Sequence, residues 1–135
     1  MIYRLSNDLY FPAVEKASPD GILAYGGDLS PERLLLAYRS GIFPWFEDDQ
    51  PILWWSPPQR MVLFLEELVV SKSMRNIINR GTFSVTFNQD FREVITHCRQ
   101  IARDGQNGTW ITNDMVEAYC KLHELGIAKS VEVWQ

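Results

Sequence analysis

Apolar residues change rhythm near residue 58. Beyond it they fall into regular periods. Residues 83–87 and 130–134 alternate apolar and polar, which predicts two strands. Over 90–103, Phe91, Val94, Ile95, Cys98, Ile101 and Ala102 share one helical face, with Asp90 and Glu93 spaced as a capping box. On that spacing Cys98 points inward. A helix over 112–125 is capped by Thr112, carries Met115, Tyr119 and Leu122 as its stripe, and stops at Gly126. Residues 61–65 form an apolar run, and 71–80 a short helix closed by Gly81. Before residue 58, Ser30 and Pro31 open a helix that ends at Gly41, with Leu34, Leu35 and Tyr38 toward the core. Gly26 and Gly27 mark a tight turn with positive φ at one of them. The pattern predicts an α/β (α+β) fold in two domains, 1–58 and 59–135, without internal repeats.

Residues 41–58 break every period. Three of the five tryptophans, Trp45, Trp54 and Trp55, lie here among Pro44, Pro51, Pro57 and Pro58. Proline lacks a backbone donor, so the segment is expected to be a structured loop and not a long helix or central strand. Its aromatic residues either fill a core or line a cleft.

Thirteen Lys and Arg against seventeen Asp and Glu give a net charge of −4, which excludes a broad basic face for nucleic acid. A polyanion would have to meet the local patch of Lys72, Arg75 and Arg80. The N-terminus carries Arg4 and Asp8 and has no signal-peptide core, and no run approaches a membrane span; a cytoplasmic protein is expected. Cys98 and Cys120 read as free, buried thiols. His97 and Cys98 with Cys120 and His123 supply ligand types for zinc, but adjacent helical residues diverge, so no metal is expected. The acidic run Glu47, Asp48 and Asp49 reads as solvated. The Gly-Gly pair lacks the spacing of a phosphate loop. Val131 and Val133 sit on a bare terminal strand, which invites self-association through 130–134, and the chain reads as unfinished at Gln135.

Several stretches in order carry a resemblance. These are Gly-Gly-Asp-Leu-Ser-Pro-Glu-Arg-Leu at 26–34, Tyr-Arg-Ser-Gly-Ile-Phe-Pro-Trp-Phe at 38–46 and Ile-Leu-Trp-Trp-Ser-Pro at 52–57. Gly-Thr-Trp-Ile-Thr at 108–112, Val-Glu-Ala-Tyr at 116–119, Leu-His-Glu-Leu-Gly at 122–126 and Ser-Val-Glu-Val-Trp at 130–134 agree. The chain resembles the bacterial leucyl/phenylalanyl-tRNA-protein transferases throughout. The resemblance implies a small N-terminal domain followed by the first part of a GNAT-like acyltransferase domain. It also implies transfer of Leu, Phe or Met from aminoacyl-tRNA to proteins beginning with Arg or Lys, a degradation signal, without a cofactor. Trp45 and Trp110 match the family's tryptophans that hold the aminoacyl-adenosine end, while Trp54, Trp55 and Trp134 are left as structural. Lys72 and Arg80 match basic positions for the tRNA backbone; Asn76 and Asn79 stand where the family can carry cations, and Arg75 compensates. A glycine-rich strand pair, a Gly-Glu-Ser-Met-Phe-Ser motif and an Asp-Cys-Gln motif, which carry the family's proposed catalytic acid and amide, are absent from these residues. No catalytic residue is assigned. The alternative is an inactive RNA-binding or self-associating module.

Overall fold

The chain runs through β1 (Tyr3–Leu5), β2 (Ile22–Gly26), α1 (Pro31–Arg39), β3 (Phe43–Pro44), β4 (Leu53–Trp55), α2 (Lys72–Arg80), β5 (Ser84–Phe87), α3 (Phe91–Gln100), α4 (Asn113–Glu124) and β6 (Val131–Trp134). This is a mixed α/β fold. The computed structural model describes residues 2–101 and 111–135.

Four strands form a sheet in the order β1-β2-β4-β3, with β1 and β2 parallel and the other pairs antiparallel. The central place of β4 corrects the expectation of a loop. Pro51 and Pro57 lie outside this three-residue strand, and Pro44 occupies the edge strand β3, where a missing donor costs no ladder bond. Trp54 is fully buried beneath the sheet, edge-on to Phe11 with ring centroids 4.9 Å apart. Its indole N–H donates to the Gly26 carbonyl at 2.9 Å, so the polar handle is satisfied. Leu5, Leu23, Ala24, Leu34, Ala37, Ile42 and Leu122 complete this core.

Helix α1 begins as its sequence dictates. The Ser30 hydroxyl accepts from the Arg33 amide at 3.3 Å, and Pro31 takes the first position, where no donor is needed. Its buried stripe is Arg33, Leu34 and Ala37; Tyr38 is half exposed, against expectation, because it lies at the margin where α4 arrives. The Arg33 guanidinium donates to Asp28 Oδ1 at 3.3 Å and to the Ser6 and Asp8 carbonyls at 2.9 and 3.2 Å. It thereby ties residues 6–8 to the helix.

Helix α4, capped by Thr112 at 3.2 Å from the Met115 amide, packs back into this first unit. Leu122 enters the Trp54 core, while Met115, Val116 and Cys120 form a second cluster with Phe46 and Ile111. The Tyr38 and Tyr119 hydroxyls are hydrogen-bonded, joining α1 to α4.

Between 58 and 101 no described residue is buried. The apolar run 61–65 forms no strand, and α2 exposes every residue except the half-buried Ile77. Helix α3 rests on α4 through Phe91, stacked on His123 at 4.5 Å, and through Ile95. Arg92 pairs with Glu117 at 2.7 Å. The apolar face of α3 is thus divided. Val94, Cys98 and Ile101 turn to an open groove beside β6, so Cys98 is exposed and Cys120 alone of the two thiols is buried. Asp90 makes no side-chain cap, and the helix stops at Gln100, since Ile101 is extended.

Strand β6 pairs antiparallel with β5, placing Val85 opposite Val133 and Phe87 opposite Val131 on one exposed face. On the other face the buried Glu132 carboxylate accepts from Ser130 Oγ at 2.6 Å, Thr86 Oγ1 at 2.8 Å and the Gln89 amide at 3.0 Å. The Ser130 hydroxyl foremost, with these others, holds Glu132 below the ordinary carboxylate range.

Two outcomes follow. Trp54→Ala should cost about 3 to 5 kcal/mol in urea unfolding, since it opens a cavity and orphans the Gly26 carbonyl; Trp55→Ala, at a half-buried position, should cost less. Burial pushes the Tyr119 phenol well above its ordinary 10.0, and Tyr38 beside it adds to the rise. A raised folded pKa means stability is fully present below pH 10 and is lost above it, where the unfolded phenol ionises first. Unfolding free energy should therefore fall between pH 10 and 11.5 at up to about 1.4 kcal/mol per pH unit, and Tyr119→Phe should flatten that decline.

Candidate functional site

Strand alternation builds the site. Pro44, Phe46 and Trp54 turn toward the interior, which sends Phe43, Trp45, Leu53 and Trp55 to the outer face of the sheet. They line a shallow groove of about 530 Å³ together with Ile22, and Asp20, Glu47 and Gln50 supply polar groups at its margins. Trp45 is 46% exposed. Its backbone is nevertheless fixed from two sides: its amide donates to Leu53 O at 3.0 Å, and its carbonyl accepts from Trp55 Nε1 at 2.7 Å. A large aromatic side chain is held at a groove by a rigid hairpin. Trp55, read from sequence as structural, is both a strut for Trp45 and part of the groove.

The turn after Trp45 is closed by the Gln50 amide donating to Glu47 O at 3.0 Å and the Glu47 amide donating to Gln50 Oε1 at 2.9 Å. Glu47 belongs to this groove, whereas Asp48 and Asp49 of the same acidic run do not line it. Sequence reasoning missed Asp20 altogether. Its position depends on Gly21 (φ +97°), where a Cβ would lie 2.9 Å from Pro57 Cα, so the loop 18–21 can lie against the strand end only with glycine.

Trp110 lies outside the described residues. Ile111, which follows it, is buried in one cluster with Phe46, which follows Trp45. Lys72, Arg75 and Arg80 all sit exposed on α2. At about 100° per residue they span an arc of about 140°, with Asn76 and Asn79 between them and Met74, Ile77 and Ile78 opposite. The structure brings the three cations together, on an element separate from the groove lining. Among the described residues no three His, Cys, Asp or Glu gather as metal ligands. His123 Nδ1 is instead 2.9 Å from the Ala128 carbonyl. No helix among the described residues is long and apolar enough to cross a membrane.

Comparison with known proteins gives the site its context. Residues 62–135 match the family model described as leucyl/phenylalanyl-tRNA protein transferase, and residues 27–58 match that of its N-terminal domain. The leucyl/phenylalanyl-tRNA--protein transferase of Flavobacterium johnsoniae is 65% identical over 134 residues, covering 99% of this chain and 63% of the relative. Its counterpart from Flavobacterium psychrophilum is 64% identical, covering 97% of this chain and 62% of the relative. That from Anaeromyxobacter sp. is 54% identical, covering 99% and 57%. The chain spans about three fifths of the length of these curated relatives. With two family models matched in order across a small N-terminal domain and the start of the transferase domain, the chain belongs to the leucyl/phenylalanyl-tRNA protein transferase family.

Proposed function

We propose that this chain holds the aminoacyl-adenosine end of a charged tRNA within a longer aminoacyltransferase. That enzyme moves Leu, Phe or Met to cytoplasmic proteins beginning with Arg or Lys and so marks them for degradation by an N-end rule. The reading divides the chain near Pro58 and takes the second part as the start of a GNAT-like domain.

The observation that carries it is Trp45. An exposed indole on a backbone held from both sides suits stacking against a nucleobase, and membership of a tRNA-dependent transferase family supports that choice of ligand. Trp110 is assigned the second face. Its neighbour Ile111 packs with Phe46, which supports bringing the two chain segments to one place. Lys72, Arg75 and Arg80 are assigned to the tRNA backbone, where exposed cations displace counterions from phosphates.

The reaction asks for aminolysis: the acceptor's free α-amine attacks the aminoacyl ester, and the tRNA hydroxyl leaves. Placement, a proton acceptor for the amine and donors for the tetrahedral oxyanion are the requirements. The groove and α2 address placement; we assign the other two roles to no residue of this chain.

Trp45→Ala should weaken binding of a non-hydrolysable phenylalanyl-adenosine analogue by about 5-fold to 100-fold in a fluorescence titration. Binding as tight as wild type would remove Trp45 from the site. Lys72→Gln with Arg75→Gln should make tRNA affinity less dependent on salt, lowering the log-log slope by about one for each phosphate that is no longer neutralised.

A second reading rests on the β5–β6 ribbon, where Val85, Phe87, Val131 and Val133 form an exposed apolar face and the outer edge of β6 is unpaired among the described residues. Such an edge favours pairing with a second copy. Light scattering should then show a dimer that dissociates on Val133→Lys; a monomer at every concentration overturns it.

A further inference from the structure

We infer that Glu132 is a carboxylate latch: ionised, it caps α3 from the neighbouring strand β6 and holds that helix to the β5–β6 ribbon, and on protonation it lets α3 open away from β6. Helix α3 has no cap of its own. Residues 90–93 have the spacing of a capping box, yet the Asp90 side chain caps nothing and Glu93 turns along the helix toward His97, 3.5 Å away. In a capping box the glutamate reaches back to the backbone amide at the helix entry, and here that part is played from β6. Glu132 Oε1 accepts from the Gln89 amide at 3.0 Å, and the Asp90 amide also favours the ionised carboxylate.

The same carboxylate ties the two strands. Oε1 accepts from Thr86 Oγ1 at 2.8 Å, the Thr86 hydroxyl in turn accepts from the Trp134 indole at 2.8 Å, and Oε2 accepts from Ser130 Oγ at 2.6 Å. One buried charge therefore joins β5, β6 and the start of α3 through hydrogen-bond donors, and no cation pairs with it among the described residues. Protonation removes the charge that strengthens every one of these bonds.

Past its first turn α3 is parted from β6 by an open groove of about 440 Å³, bordered by Val94, Cys98 and Ile101 on one side and Val131 and Val133 on the other. Apolar packing does not close that gap. The helix is held on its other side by α4, through Phe91 on His123, through Ile95 and through the Arg92–Glu117 pair. The titratable and charged side chains around the latch are thus Asp90, Glu93, His97 and Cys98 along the groove, and Arg92, Glu117 and His123 at the α4 contact. The donors around Glu132, the Ser130 hydroxyl foremost, hold its carboxyl below the ordinary 4.5. A depressed folded pKa means that the latch stabilises fully above pH 4.5 and is lost as pH falls through the lower value of the folded state.

Amide hydrogen exchange on the 135-residue chain between pH 6 and pH 3, corrected for intrinsic exchange, tests the latch with α4 as internal reference. In wild type the protection of α3 should fall about tenfold or more relative to α4 below pH 4.5, as expected for the loss of a hydrogen bond to a charged group. Glu132→Gln should show the lowered α3 protection already at pH 6 and no further step in acid. Glu117→Gln, which lacks the ion pair to Arg92, should keep the acid step. Constant α3 protection in wild type down to pH 3, or an acid step that persists in Glu132→Gln, overturns the inference. A step abolished by Glu117→Gln assigns it to the α4 contact instead, and α3 and α4 losing protection together means global unfolding; either result also overturns the latch. Should Glu132→Gln not fold, the Gln89 amide resonance of wild type decides: it should shift over the same pH range in which α3 loses protection, and an unmoved resonance sinks the proposal.

Discussion

The burial of Trp54 is the interaction on which both core and groove depend. Its indole fills the space between sheet and helix, stands edge-on to Phe11 and ties β4 to the Gly26 carbonyl. Strand side chains alternate, so fixing Trp54 inward fixes Leu53 and Trp55 outward. Trp55 then reaches the Trp45 carbonyl and sets the edge of the hairpin. A slip of one residue would exchange the two faces, leaving Trp54 in water and the groove without its aromatic wall. Core stability and the shape of the outer face are therefore one constraint.

The second constraint is the return of α4. Helices 113–124 and 31–39 are far apart in sequence, yet Leu122 enters the Trp54 core and Tyr119 reaches Tyr38. Phe46, adjacent to Trp45, is buried in one cluster with Ile111, Met115, Val116 and Cys120, most of it supplied by α4. The segment between, residues 59–101, buries nothing completely and is attached to α4 through Phe91 and Arg92, to β6 through β5, and to Gly41 and Ser56 through Arg60. The change of rhythm at residue 58 is real as a local texture. Packing does not follow it, since α4 joins the first unit's core.

Local signals were the legible part of the sequence. The Ser30 and Thr112 caps, the helix closed by Gly81 and the two alternating strands depend on neighbours within a few residues, and the structure contains them. What failed depended on tertiary partners. Four prolines argued against a central strand in 41–58, but a strand of three residues fits between Pro51 and Pro57. A helical stripe placed Cys98 inward, but α3 meets α4 along only part of that stripe. Arg33 carries no sequence sign of burial; its Nη2 donates to carbonyls from a segment 25 to 27 residues earlier, while its buried Nη1 has no hydrogen-bond partner among the described residues. For the candidate site, the family motif and not composition singled out Trp45, which the structure leaves exposed at the groove, while the place of Asp20 there depends on Gly21 bringing its loop against Pro57.

Charge placement links these elements to the proposed reading. A net charge of −4 would hold a polyanion away if evenly spread. Instead the three cations of α2 occupy one face without an intervening acid, and the carboxylates of the groove stand apart from them, on the loop 18–21 and the turn 47–50. On the proposed reading, a polyanionic donor and a cationic acceptor have to meet at one reaction centre while each is kept from the other's binding surface. Segregated charge does this through long-range steering, which costs no close contact in either ground state. Trp45 suits the meeting point for a physical reason: an indole face attracts both a stacked base and a cation, so the same fixed ring can border both surfaces without favouring a sign of charge.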